Sequence, residues 1–226
     1  MIVGHYAAAL IPYSRLEGRP LWLLLVCANV PEFLWLGLAL AGVEPTNPAS
    51  LLDATFPNID VHMTYSHNLI PGLIQGIIVF ALVQAIWRDW PLALWCGALT
   101  VVHVLCDLLV GFKHELLGPN SPQVSLDTYG HAPVIAIGIE LVFALGCVFA
   151  YLKSEARRGR PLTRTRSVAL YSVFTVGILA WLPATTMSLR QTIGQFSRRN
   201  DELQHDGLCG RSHTGYVVCV IRTSMQ

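Results

Sequence analysis

Six of the eight histidines, at positions 5, 62, 67, 103, 114 and 131, fall in the first 152 residues, together with ten of the fourteen carboxylates. Imidazoles and carboxylates gathered at close quarters either ligate divalent metal ions or pass protons. The sharpest local pattern is His103-Val-Leu-Cys-Asp107. Residues four apart on a helix lie about 40° apart on one face, stacked one turn from each other. His103 and Asp107 can then ligate one ion, or Asp107 can orient His103 from behind. A plain hydrogen-bonded His–Asp pair has the same spacing. If the helix continued past Gly111, His114 would fall within about 20° of His103. The second pattern is His62-Met-Thr-Tyr-Ser-His67. Five residues apart, its histidines would point about 140° apart on a helix, but in a loop closing onto a helix start both can converge on one point. Ser66 is expected as the N-cap of that helix. His67 would then sit in its first turn, where the dipole favours the neutral, metal-ligating imidazole. The bland alternative is a pair of ordinary loop histidines. His5 near the amino end and Glu32 beside Pro31 complete the set.

These residues need elements to position them, and the composition names the kind. The 226 residues are 53% hydrophobic and 13% charged, about half the charged fraction of an ordinary soluble domain. That excludes a disordered chain, a nucleic-acid binder built on basic surface and a disulfide scaffold. It leaves the lipid bilayer as the chain's surroundings. A transmembrane helix takes about 20 predominantly apolar residues. Five runs qualify: 20–43 with Glu32 as its only charge, 68–87, 91–112 with Asp107, 132–152 with Glu140, and 167–189. Trp87 and Trp90 suit a bilayer interface; Pro31 interrupts the first run, and Pro183 is expected to kink the last. Residues 2–13 are apolar but too short to span, and are expected as a retained half-helix lying in the interface or dipping into the bundle. The expected fold is an all-α polytopic membrane bundle of about five spans plus this half-helix.

Charge divides the chain. Residues 1–152 hold 4 Lys/Arg and 10 Asp/Glu, while residues 153–226 hold 11 and 4. Three segments follow: a histidine- and carboxylate-bearing core over 1–152, a basic loop with the fifth span over 153–190, and a polar, loose tail over 191–226. Lys/Arg in short loops mark the cytoplasmic side. The 153–166 loop is therefore expected inside and the acidic 44–66 loop outside, across the inner (plasma) membrane if the protein is bacterial. Arg190, Arg198 and Arg199 run against this pattern. Cys209 and Cys219 are able to pair in an oxidising compartment, and the other four cysteines read as buried thiols.

A carboxylate at mid-membrane costs roughly 2.5–3.5 kcal/mol on insertion scales. Glu32, Asp107 and Glu140 each incur that cost. Glu140, alone in its span, is expected to be a plain buried group paired with a neighbouring helix. Glu32 and Asp107 have histidines near them: with alternating spans, His62, His67, His103 and Asp107 all fall toward the outer end. Mixed nitrogen and oxygen ligation there suits zinc, with manganese or iron as alternatives.

With these residues placed, the chain resembles the YdjM/YbcI-like family of predicted membrane-bound metal-dependent hydrolases. His5, Pro31-Glu32, HMTYSHN at 62–68 and HVLCD at 103–107 follow the order of that family's early His, Pro-Asp, HRxxTHS-type element and HxxxD. Glu32 stands for Asp, Met63 for Arg, Ser66 for Thr and Asn68 for Ser; Met63 loses a cation. Lys113-His114-Glu115 loosely echoes a later His and acid in related members. The likeness covers residues 1 to about 150. It implies a membrane-embedded hydrolase of a lipid or other amphiphilic ester or phosphoester. His5, His62, His67, His103 and Asp107 would ligate one or two ions, and Glu32 would be general base or ligand. Two other readings stand beside it: a proton or ion relay strung along Glu32, His103 and Glu140, and a non-catalytic module docking through the basic loop.

Overall fold

The computed structural model describes residues 1–195, 197, 209–211 and 217–219. An embedded amino-terminal pair, α1 (Gly4–Ala8) and α2 (Leu10–Tyr13), precedes α3 (Leu21–Cys27) and α4 (Val30–Leu40). A long loop carrying the short pair β1 (Thr46–Asn47) and β2 (Asp60–Val61) leads to α5 (Leu69–Trp87) and α6 (Trp90–Val110). Then come α7 (Thr128–His131), α8 (Pro133–Arg157) and α9 (Arg164–Leu179). Among the described residues, four helices are long and apolar enough to cross a membrane, and α3 with α4 makes a fifth span bent by 54°. The chain is thus built as an integral membrane protein, an all-α bundle with the expected embedded half-helix. His5, Ala7 and Ala8 are buried, so that half-helix enters the bundle.

The bend has a local cause. Pro31 has no N–H to give the carbonyl of Cys27, and its ring crowds that carbonyl. The helix breaks at Ala28–Asn29 and restarts with Pro31 in its first turn. Two carbonyls are freed, and α6 takes both: Thr100 Oγ1 donates to Cys27 O at 2.9 Å and His103 Nδ1 to Ala28 O at 2.7 Å.

α5 and α6 form the tightest helix pair. A Cβ on Gly72 would lie 2.5 Å from Val104 Cγ2, one on Gly76 2.5 Å from Val101 Cγ2, and one on Gly97 2.7 Å from Gly76 O. Small residues let two backbones approach where lipid gives no hydrophobic drive between helices. α6 is the most buried of the spanning helices and α9 the least, so the chemistry-bearing helix lies at the centre of the bundle. The outward faces of α5, such as Ile74, Ile77, Leu82 and Ile86, are exposed and apolar, as lipid contact requires.

The two ends differ. At one, Arg19 pairs with Asp89 (2.6 Å) and Arg160 with Glu17 (3.1 Å) and Glu155 (3.2 Å). At the other, the 44–66 and 111–132 loops meet the chain after α9. Phe56 packs among Phe112, Tyr129 and Trp181, and its N–H donates to Ala184 O at 2.9 Å. Arg190 stands at this second end, paired with Asp53 at 2.5 Å. Its departure from the charge pattern is therefore real, and an acidic loop residue meets it. Residues 191–195, expected as loose tail, are helical. Most of the rest of the tail, and the side chains of Cys209 and Cys219, lie outside the described residues; the backbones of β3 (Cys209–Arg211) and β4 (Val217–Cys219) pair antiparallel.

Candidate metal centre

Glu32, His67, His103 and Asp107 each offer one ligand atom, and all four atoms lie within 4.8 Å of one another. His67 Nε2 is 3.2 Å from His103 Nε2, 3.7 Å from Asp107 Oδ2 and 3.9 Å from Glu32 Oε1. His103 Nε2 is 3.3 Å from Asp107 Oδ2. The two histidines and Asp107 are buried; the Glu32 side chain is 32% exposed.

Each imidazole is fixed by its other nitrogen. His103 Nδ1 donates to the carbonyl freed at Ala28, so Nε2 carries a lone pair. His67 Nδ1 lies 2.9 Å from Ser66 Oγ. That hydroxyl donates its own proton to Glu44 Oε2 at 2.7 Å, so it accepts from His67 Nδ1–H. Glu44 is fully buried, and its Oε1 also accepts the N–H groups of Tyr65 (2.5 Å) and Ser66 (3.1 Å). Gln75 holds the same turn through the carbonyls of Tyr65 and Ser66, both at 2.8 Å. The chain Glu44–Ser66–His67 thus sets one tautomer, and the Pro31 break sets the other. Two Nε2 lone pairs then face each other and two carboxylates, with no proton of their own between them. Such a set of acceptors could hold a metal ion.

His67 does not sit in the first turn of α5. The N-cap is Asn68 rather than Ser66, and its side chain makes no cap bond. Asn68 Oδ1 instead accepts from Glu115 N at 2.8 Å. Leu69 and Ile70, two of the unpaired donors at the helix start, give their N–H groups to the carbonyls of Glu115 and Leu116. Burial, and after it the neighbouring His103, holds the His67 imidazole well below its usual range. The same capping draws the 111–127 loop over the centre. His114 stacks on His67 with centroids 5.6 Å apart, and its N–H donates to Ser125 Oγ at 2.7 Å. Burial pushes the His114 imidazole down to about 4. Only glycine fits at 111, because a Cβ there would lie 2.6 Å from Asp107 O and 2.8 Å from His114 Nε2.

His5 stacks on His103 at 3.5 Å, and its Nε2 is 3.2 Å from Asp107 Oδ1; the Met1 amino group also contacts that oxygen. His62, expected as a ligand, is exposed and stands outside this group. It follows β2 and continues its alternation, with Val61 and Met63 turned in and His62 turned out. His131 is exposed beside Asp127, with Nδ1 3.3 Å from Oδ2. Glu140 is met by the half-helix: its Oε1 accepts the N–H groups of Ile2 (2.9 Å), Val3 (2.5 Å) and Gly4 (2.7 Å), and Tyr129 donates its hydroxyl to Oε2.

Glu44 and Gln75 are the residues that motif reading passes over. The signal for Gln75 is visible, as one of two glutamines inside the apolar 68–87 run. Glu44 had none beyond being a carboxylate next to a turn. Comparison with protein-family models, with curated proteins and with solved structures found no match.

Proposed function

We propose that this is a membrane-embedded metal-dependent hydrolase acting on a lipid or other amphiphilic ester or phosphoester. The observation that carries the proposal is the set of inward-facing acceptors: His67 Nε2 and His103 Nε2, 3.2 Å apart with both protons held elsewhere, beside Asp107 and Glu32. Two nitrogen and two oxygen donors match zinc, and the same set accommodates manganese or iron. A divalent ion held there supplies Lewis acidity and lowers the pKa of a coordinated water to about 7. The residues do the rest. His67, His103 and Asp107 hold the ion, with Ala28 O and Ser66 fixing the rings so that little reorganises during reaction. Glu32 alone of the four reaches the surface, and it is the group placed to take a proton from attacking water. Beside it, exposed Phe33, Leu36 and Leu40 offer an apolar face to an acyl chain. The order of motifs shared with the YdjM/YbcI-like family supports the same reading, as does the basic 153–166 loop for a cytoplasmic face opposite the centre. A relay needs a free further station, and Glu140 already accepts from three backbone N–H groups and Tyr129.

The test begins with elemental analysis of detergent-purified protein made without chelator. Wild type should carry zinc, manganese or iron, and His67→Ala and His103→Ala should lose it. Release of fatty acid or phosphorylated headgroup from phospholipid vesicles should then stop with chelator. Glu32→Gln separates its two roles: metal kept with turnover lost marks a base, and metal lost marks a ligand. Wild-type protein that stays metal-free after incubation with each ion would falsify the proposal.

A further inference from the structure

Two features of the centre exceed what one ion uses. The first is the way Asp107 divides its oxygens. Oδ2 faces His103 Nε2 (3.3 Å) and His67 Nε2 (3.7 Å), while Oδ1 faces His5 Nε2 (3.2 Å) and the Met1 amino group. The second is a surplus of buried imidazole. His5 and His114 are each 1% exposed; among the described residues His5 Nδ1 and both ring nitrogens of His114 have no hydrogen-bond partner, and His5 Nε2 meets only the carboxylate of Asp107. Three orphaned ring nitrogens in a protein interior are costly unless something satisfies them.

We infer that the centre holds two divalent ions bridged by Asp107, the first on His67, His103 and Glu32, the second on His5 through Oδ1. The inference rests on the metal-site reading above. Its geometry is that of the stacked pair His5–His103, whose rings are 3.5 Å apart and 14° from parallel. Both Nε2 atoms approach the same carboxylate, one to each oxygen, so their lone pairs run side by side at about the stacking distance. Two-metal hydrolytic sites place their ions about 3.5–4 Å apart. A single ion would have to draw both stacked nitrogens to one point, at about 2.0–2.1 Å from each. The half-helix explains how His5 is held there: Glu140 accepts the three N–H groups ahead of it, which places α1 against α8 with the ring against α6.

The probe is Mn²⁺ added to the full chain in detergent after chelator has been removed. Wild type should bind two Mn²⁺ per chain by elemental analysis and give an exchange-coupled electron paramagnetic resonance spectrum. His5→Ala should bind one and give the six-line spectrum of an isolated ion. One uncoupled Mn²⁺ in the wild type, with Oδ1 served by the Met1 amino group alone, overturns the second ion and leaves the first reading standing. No bound Mn²⁺, zinc or iron removes both. The wild-type count needs no variant to fold, and His5→Gln serves if His5→Ala does not. Two coupled ions retained in a folded His5 variant overturn the assignment of His5.

Discussion

The two ends of this bundle treat carboxylates in opposite ways. At the basic end, Glu17 and Asp89 lie at the surface and meet guanidinium groups of Arg19 and Arg160. At the other end, Glu44, Asp107 and Glu140 are buried and, among the described residues, meet no Lys or Arg; imidazoles, hydroxyls, backbone N–H groups and, at Asp107, the Met1 amino group surround them. An exposed ion pair contributes about 0.2–1 kcal/mol, because water and salt screen it. Stripping a partner from a buried charge costs about 3–5 kcal/mol. The difference identifies where carboxylates are kept for topology and solubility and where they are kept for a site.

The comparison predicts its largest effect at Asp107. Asp107→Ala should abolish metal binding and destabilise the chain by about 3–5 kcal/mol, through the buried Met1 amino group it leaves without its carboxylate. Asp107→Asn keeps the shape and should lose the metal with a smaller loss of thermal stability. Metal content and melting in detergent read the two effects separately. An Asp107→Ala protein with unchanged melting and full metal would erase the contrast between the ends. Glu140 comes next. Glu140→Ala leaves the Ile2, Val3 and Gly4 donors and the Tyr129 hydroxyl unpaired, at about 1–3 kcal/mol for each buried orphan that water does not reach. Hydrogen exchange should show the α1 amides losing protection ahead of α5 and α6, and Glu140→Gln, which keeps an acceptor, should restore part of it.

Much of this architecture is readable before any coordinates, and what is not readable has a physical reason. α5, α6 and α8 start within a residue or two of the expected runs, because an uncharged stretch of 20 residues has one way to satisfy its backbone in lipid. His103 and Asp107 are legible as a pair because four-residue spacing is local helix geometry. His62 and Glu44 are not, and they fail together. Both lie outside the helices, where the β1–β2 pairing decides which side chains turn inward. That pairing sets Thr46 opposite Val61, a contact across fourteen residues that local spacing does not reveal. Ser66 shows the same limit from another side. It suits an N-cap by type, yet Glu44 reaches it first, and the 111–127 loop caps α5 instead. The effect of Pro31 is half legible: that it breaks the span follows from its ring, but not that Thr100 and His103 donate to the carbonyls it frees.

Glu44 and Ser66 allow a finer cut, since they act on the centre only through His67. Ser66→Ala removes the acceptor for His67 Nδ1–H without touching a ligand, and should weaken metal binding about 10–100-fold with little change in melting. Glu44→Gln should fall in the same range. Titration against a competing chelator measures both, and unchanged affinity in Ser66→Ala would show that the tautomer is set some other way.

The smallest effect belongs to the basic end. Arg19→Ala should cost less than about 1 kcal/mol at pH 7, and the loss should shrink further as salt rises. The hydrogen bond from Arg19 holds the Asp89 carboxyl below its usual range. A lowered folded-state pKa means the pair stabilises above the ordinary carboxylate range and fades as pH falls through the lowered value. Wild type and Arg19→Ala should therefore differ slightly in melting at neutral pH and converge in acid. The Asp107 variants should not track this exposed pair, because their deficit lies in lost buried partners rather than in a screened surface charge. If Arg19→Ala instead cost several kcal/mol and resisted salt, the basic end would be a buried network in its own right, and the division between the two ends would have to be redrawn.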